Sequence, residues 1–175
     1  MQEVDKPLVF LIYYNSMKVL IPCVSKKLNK RAKACDMYVS PLFKKALAYA
    51  RTIADDKDIY ILSAKHYVLK LNDVIEPYNK TIAGASDSQV RVWASKVYDK
   101  MKSMNFDFGE KTIFLTGEAY RRHLINKFDN AECPVKNCKG IGYMLQWFDK
   151  KLGVNESLSD YLQLMSENLD DNTIY

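Results

Sequence analysis

Lys18-Val19-Leu20-Ile21 runs directly into Pro22-Cys23-Val24-Ser25-Lys26-Lys27, and this junction decides how the rest of the chain is read. A short apolar run closed by proline and followed by small, hydroxylic and cationic residues reads as a buried strand ending in a polar loop. The same grammar recurs twice. Ile59-Tyr60-Ile61-Leu62 leads into Ser63-Ala64-Lys65-His66-Tyr67, and Thr112-Ile113-Phe114-Leu115 leads into Thr116-Gly117-Glu118-Ala119-Tyr120. In open α/β sheets ligands bind outside the carboxyl ends of the strands, so three polar strand ends predict one shared pocket. A fourth segment, Ile75-Glu76-Pro77-Tyr78-Asn79-Lys80, lies within a connection over residues 67–87 that carries few regular signals. Connections of that length are usually functional or disordered, and the aromatic and acidic residues in this one favour function.

Helical patterns fill the intervals. Ser40-Pro41 reads as an N-cap followed by proline at the first helical position, with Leu42, Ala46, Ala50 and Ile53 on one face of a helix reaching about residue 55. A second helix is expected over 88–104, where Val90, Trp93, Val97, Met101 and Met104 recur at helical spacing, and a third over 118–128 with Tyr120, Leu124 and Phe128 aligned. Past Gly140-Ile141-Gly142 a fourth, with Leu145, Trp147 and Phe148, ends near Gly153, and a last one is expected over 158–169. Such alternation predicts an α/β fold: a mostly parallel sheet covered by helices on both faces. The whole chain reads as a single domain with its core over residues 17–150, to which residues 1–16 could be an extension.

Composition places the chain among ordinary globular proteins, with 175 residues, 48% hydrophobic and 27% charged. The apolar run at residues 8–14 is too short to cross a bilayer, and Glu3 and Asp5 stand where a secretory signal would be basic. A cytoplasmic location and four reduced cysteines are the expectation. Cys133 and Cys138 could start a zinc site, but His66 and His123 stand alone, so neither a metal nor another cofactor is expected. The net charge of +5 is uneven: residues 26–33 hold Lys26, Lys27, Lys30, Arg31 and Lys33 without an acid. That run is either a solvated loop or the electrostatic footprint of a phosphate backbone.

Several chemistries are ruled out by pattern. The chain has no phosphate-binding Gly-x4-Gly-Lys-Ser/Thr loop, no Gly-x-Gly-x-x-Gly after a strand and no Gly-x-Ser-x-Gly elbow. What remains suits an anionic ligand with a planar ring. Ser25, Lys26 and Lys65 can neutralise and hydrogen-bond phosphates, and Tyr67, Tyr78 or Tyr120 can stack on a base. Glu76 and Asn79 can position a water or read a base edge. Plainer roles stand beside these: Lys26 and Lys65 as surface lysines, Tyr78 as a wedge under its loop, and Glu118 as a first-turn acid. Gly117 suits a tight strand-to-helix turn and lets a ligand approach the helix amino end.

These segments, together with Pro134 and Gly140-x-Gly142-x3-Gln146-Trp147, resemble the YaaA-related group of proteins over about residues 17–150. That group is similar to the uracil-DNA-glycosylase-like superfamily, which implies a three-layer α/β/α sandwich. The resemblance also implies DNA binding under oxidative stress, or removal of unusual bases in defence against phage. It puts Pro77, Tyr78 and Asn79 on a loop beside the catalytic water, with Asn79 standing where the group carries Asp. The leading expectation is therefore a DNA glycosylase that flips out a modified base and hydrolyses its N-glycosidic bond. Asn79 and Glu76 would be catalytic. Ser25, Ser63, Lys65, Tyr78, Tyr120 and Gln146 would form the base pocket, and Lys26, Lys27, Lys30, Arg31 and Gly117 would meet the DNA backbone. The partner would be double-stranded DNA bearing modified bases, bound by a monomer. A DNA-binding stress protein without catalysis is the competing class, and an enzyme acting on a free nucleotide or nucleoside is the third.

Overall fold

The computed structural model describes residues 17–154. The proposed extension at 1–16 and the helix expected at 158–169 lie outside the described residues. β1 (Lys18–Pro22) is followed by β2 (Ala32–Lys33), a short helix α1 (Ala34–Met37) and the long helix α2 (Pro41–Ile53). β3 (Ile59–Ser63), β4 (Tyr67–Lys70) and β5 (Val74–Ile75) precede α3 (Asp87–Ser103). β6 (Thr112–Phe114), α4 (Glu118–Arg121), β7 (Ala131–Glu132) and α5 (Ile141–Leu152) complete the described chain.

The fold is α/β. Five strands form the main sheet in the order β4-β3-β1-β6-β7, parallel except for β4, which returns antiparallel beside β3. β1 and β3 are buried almost throughout and so carry continuous apolar runs rather than alternation, the pattern of strands covered on both faces. Their registers bring three strand ends level. Pro22 pairs with Leu62 and Leu20 with Phe114, and Cys23 N–H and Leu115 N–H extend the ladder to the carbonyls of Leu62 and Leu20.

The helices follow local signals. The Ser40 side chain accepts from Phe43 N–H at 3.4 Å above a proline at the start of α2. Ser86 and Gln89 form a reciprocal capping box on α3, whose buried stripe is Val90, Trp93, Val97 and Met101. α5 ends where Gly153 takes φ 71°, a left-handed cap that glycine adopts without strain. It packs on α2 through Tyr49, Trp147 and Phe148, beside an ion pair of Lys45 with the fully buried Asp149.

Two expectations are corrected. Residues 67–87 are not one long irregular connection, because β4 joins the main sheet and β5 pairs antiparallel with β2. That small pairing fastens the basic 26–33 segment to the 71–75 segment, with Ala34 N–H and Cys35 N–H donating to the carbonyls of Asp73 and Leu71. The helix expected over 118–128 stops at Arg121 and resumes only as a 3₁₀ turn at Ile125–Lys127. Tyr120 faces Trp93 while Phe128 joins a cluster with Phe106, Phe108 and Phe114, and the break lets the two rings serve these different neighbours.

Candidate functional site

Chain order fixes where a ligand crevice forms. From β1 the chain moves to β3 on one side, then crosses to β6 on the other, so the strand order reverses between β1 and β6. Crevices open at such reversals, beyond the carboxyl ends of the strands. A cavity of about 250 Å³ lies there. The loop after β1 supplies Cys23 and Ser25, the turn after β6 supplies Gly117, Glu118 and Tyr120, and Lys80 and Thr81 close it from the 79–86 segment. Leu42, Ile141 and Met144 give it an apolar side.

Behind the cavity the strand ends are tied together by buried hydroxyls. Ser63, fully buried, accepts from His66 N–H at 3.0 Å and Lys65 N–H at 3.3 Å. With both lone pairs engaged, its own O–H donates to the Tyr78 oxygen at 2.8 Å, and Tyr78 in turn donates to Tyr38 at 2.8 Å. Burial pushes both phenols well above the usual tyrosine range. The Tyr120 hydroxyl lies 3.2 Å from Cys23 Sγ and 3.4 Å from its carbonyl, and burial followed by the neighbouring Cys23 raises this phenol as well. Ala64 N–H donates to Cys23 Sγ at 3.4 Å, and Trp93 Nε1–H donates to the Ser63 carbonyl at 3.0 Å. The three raised phenols are therefore uncharged, and the charged residues that line the cavity itself are Lys80 and Glu118.

Gly117 has an ordinary φ of −64°, and a Cβ there would meet nothing within 4 Å. Neither backbone nor packing demands glycine at this position. Its use is consistent with close approach by a ligand in the cavity it lines. The helix it opens is only four residues long, so the expected contribution of a helix amino end is not available.

The remaining sequence-predicted residues divide between the cavity and its surroundings. Ser25, Tyr120 and Gly117 line the cavity, and Ser63 and Tyr78 form the network behind it. The Tyr78 ring is already covered, with the Lys27 ammonium 4.3 Å and the Lys65 ammonium 5.6 Å from its centroid and His66 edge-on. Lys27 also donates to the Ser25 carbonyl at 3.1 Å, so it braces the β1 loop. Lys26 and Lys30 are exposed. Glu76 and Arg31 are exposed and face each other at 3.8 Å. Asn79 is exposed and does not line the cavity, although its neighbour Lys80 does. Gln146 is exposed on α5 away from the cavity lining. Cys133 and Cys138 are free thiols, both raised by burial, and among the described residues no group of three His, Cys, Asp or Glu is placed to hold a metal.

Tyr38, Thr81 and the lining role of Glu118 were not legible as site features. Tyr38 lies between the basic run and the Ser40-Pro41 helix start, outside every segment read as a site loop, and Glu118 satisfies the rule for a helix start by itself. A second depression, about 580 Å³, adjoins the first through Glu118 and is flanked by Arg121, Arg122 and Lys136. A third, about 670 Å³, lies between residues 79–86 and α3. Tyr67 lines it from an unusual backbone. With φ 65° and Val68 N–H donating to the His66 carbonyl at 2.8 Å, Tyr67 centres a rare positive-φ γ-turn. Such a conformation costs a bulky residue about 1–3 kcal/mol and persists only where surrounding structure holds it.

Two comparisons with known proteins find matches to this chain. An uncharacterized protein of Bacillus subtilis (strain 168), YfjM, is 30% identical over 136 residues, covering 73% of this chain and 89% of that protein. The pattern of the group described as "Family of unknown function (DUF6884)" matches residues 19–150, from β1 through nearly all of α5. The chain belongs to the DUF6884 family.

Proposed function

We propose that this protein binds DNA and excises a modified base by hydrolysing its N-glycosidic bond. The observation that carries the reading is the cavity at the β1/β6 reversal, small and lined by the hydroxyls of Ser25, Thr81 and Tyr120, by an apolar side, and by the charged Lys80 and Glu118. A flipped base needs such a pocket, with apolar surface for its faces and donors and acceptors for its edge. In the reaction a water oxygen bonds to C1′ of the sugar, the C1′–N bond breaks with its electron pair going to the base, and the proton of water ends on the departing base. Glu118, which lines the cavity, is our candidate to accept that proton from water and pass it on toward the departing base, or to face the developing positive charge on the sugar. Asn79, adjoining the lining residue Lys80, is the second candidate for positioning the water. Glu76 is exposed, stands 3.8 Å from Arg31 and does not line the cavity, so it is left out of this step.

The wider fold supports the resemblance to YaaA-related and uracil-DNA-glycosylase-like proteins. Crossovers from β1 to β3 and from β3 to β6 run in opposite directions, and if both are right-handed, as such connections generally are, α2 and α3 would lie on opposite faces of the sheet, which supports a three-layer reading. Defence against phage carrying modified DNA is the biological setting this reading suggests. The exposed Lys26 and Lys30 supply a track for the phosphate backbone, which also favours the second reading, a DNA-binding protein without catalysis.

Incubation with duplexes bearing normal, damaged and hypermodified bases, followed by alkaline cleavage, tests the proposal. Strand breaks on a modified duplex are expected, lost in Glu118→Gln and unchanged in Glu76→Ala. Salt-dependent binding without breaks on any duplex would leave the non-catalytic reading.

A further inference from the structure

We infer that the third cavity, between residues 79–86 and α3, is a subsite for the nucleotide next to the one whose base enters the β1/β6 cavity, with Tyr67 as its stacking platform. The inference deepens the proposed function and rests on it for the identity of the first cavity. It makes the substrate a strand of at least two nucleotides rather than a free nucleotide.

Three features of the cavity carry this. First, Lys80, Thr81 and Ala83 line both cavities, so residues 80–83 form a thin wall between them. Consecutive nucleotides can straddle that wall with the joining phosphate beside Lys80. Secondly, the charge is one-sided. Lys80 and Lys96 line the third cavity, and among the described residues no carboxylate does. The nearby Asp87 is committed elsewhere, to His123 at 2.7 Å, Arg91 at 3.2 Å and Arg122 at 3.4 Å. Thirdly, an aromatic ring is held there against its backbone preference. Tyr67 centres the positive-φ turn, and the Lys96 ammonium stands 5.7 Å from its ring centroid. A cation beside an aromatic face is the pairing that single-stranded nucleic acid meets in stacking sites, where base and phosphate are recognised together.

The test measures affinity for fluorescein-labelled oligothymidylates of one, two, four and ten nucleotides, with the ribo-uridylate series in parallel. Affinity is expected to rise about ten- to hundredfold from one nucleotide to two, the increment a stacked base supplies. Tyr67→Gly should remove that increment while leaving mononucleotide affinity unchanged. Glycine suits the positive φ, so this variant keeps the hairpin while removing the ring. Tyr67→Phe should retain the increment, which a purely structural role for the turn would not require. Lys96→Ala should flatten the salt dependence of dinucleotide binding but not of mononucleotide binding.

Equal affinity for one and two nucleotides, absence of binding to every length, or a Tyr67→Gly variant that keeps the increment would each overturn the inference. A length-dependent, Tyr67-dependent affinity without base release on any duplex would sustain the subsite and reject the glycosylase. Base release from duplexes with no effect of Tyr67→Gly on dinucleotide affinity would do the reverse.

Discussion

Replacing Ser63 by alanine tests the network that levels the strand ends. The hydroxyl is fully buried and serves three partners: His66 N–H at 3.0 Å, Lys65 N–H at 3.3 Å and the Tyr78 hydroxyl at 2.8 Å. Alanine leaves the Tyr78 hydroxyl its bond to Tyr38, so the loss falls on the two backbone donors. A buried donor left without a partner costs about 1–3 kcal/mol. Lys65 is exposed and its bond is long, so it contributes only part of that. The expected destabilisation is roughly 2–4 kcal/mol, read as a lower urea midpoint at constant slope. For a chain of this size it lowers Tm by roughly 5–15 °C. A double-mutant cycle with Tyr78→Phe should show coupling of about 1 kcal/mol, since both variants cut the same bond. A loss below about 0.5 kcal/mol would mean that these donors find other partners, and would refute the account of Ser63 as the hub.

The other predictions concern charge. Burial, followed by Lys65 and Lys100, holds His66 below the usual 6.5. The folded state therefore binds fewer protons than the unfolded one as pH falls through and below 6.5, so stability is full above that value and declines beneath it. His66→Gln should flatten this decline in denaturation curves between pH 7 and pH 5; an unchanged slope would remove His66 as its source. Lys45→Met strands the buried Asp149 carboxylate and should cost about 3–5 kcal/mol, with Asp149→Leu restoring much of it; a neutral single variant would contradict the pairing. Replacing Lys26, Lys30 and Arg31 together by alanine should flatten the log–log salt slope of DNA binding by about two to three, at about 0.9 for each phosphate no longer neutralised. Lys27 is spared because it braces the Ser25 loop. An intact slope would assign the run to solvated surface.

Much of the frame was legible because its signals are local. Three apolar runs ending in polar loops marked the central strands within a residue or so of their observed ends, and Ser40-Pro41 and the Trp93 stripe marked α2 and α3. The elements that escaped depend on partners remote in sequence. Tyr67–Lys70 becomes a strand because β3 offers an open edge, and Val74–Ile75 does so because Ala32–Lys33 lies alongside. The straight helix through Phe128 failed because Tyr120 and Phe128 answer to different aromatic neighbours. At the site, residue types chosen for the loops proved spatially mixed: Ser25 and Tyr120 reach the cavity, whereas Gln146 does not. Side-chain direction decides that division, and no spacing in the chain encodes it.

The placement of β1 between β3 and β6 has a bearing on synthesis. Among the described strands the central one is made first, and its second neighbour, Thr112–Phe114, emerges only after α3 has been completed. Until then the growing chain presents one side of β1 as an unpaired apolar edge, a template for association with other chains. α2 likewise waits for α5 to cover Tyr49 and to neutralise Lys45. Ribosome pausing before residue 112 would prolong this exposed stage, whereas pausing once residue 152 has cleared the ribosome would leave β6 and α5 free to complete the sheet and the α2–α5 packing.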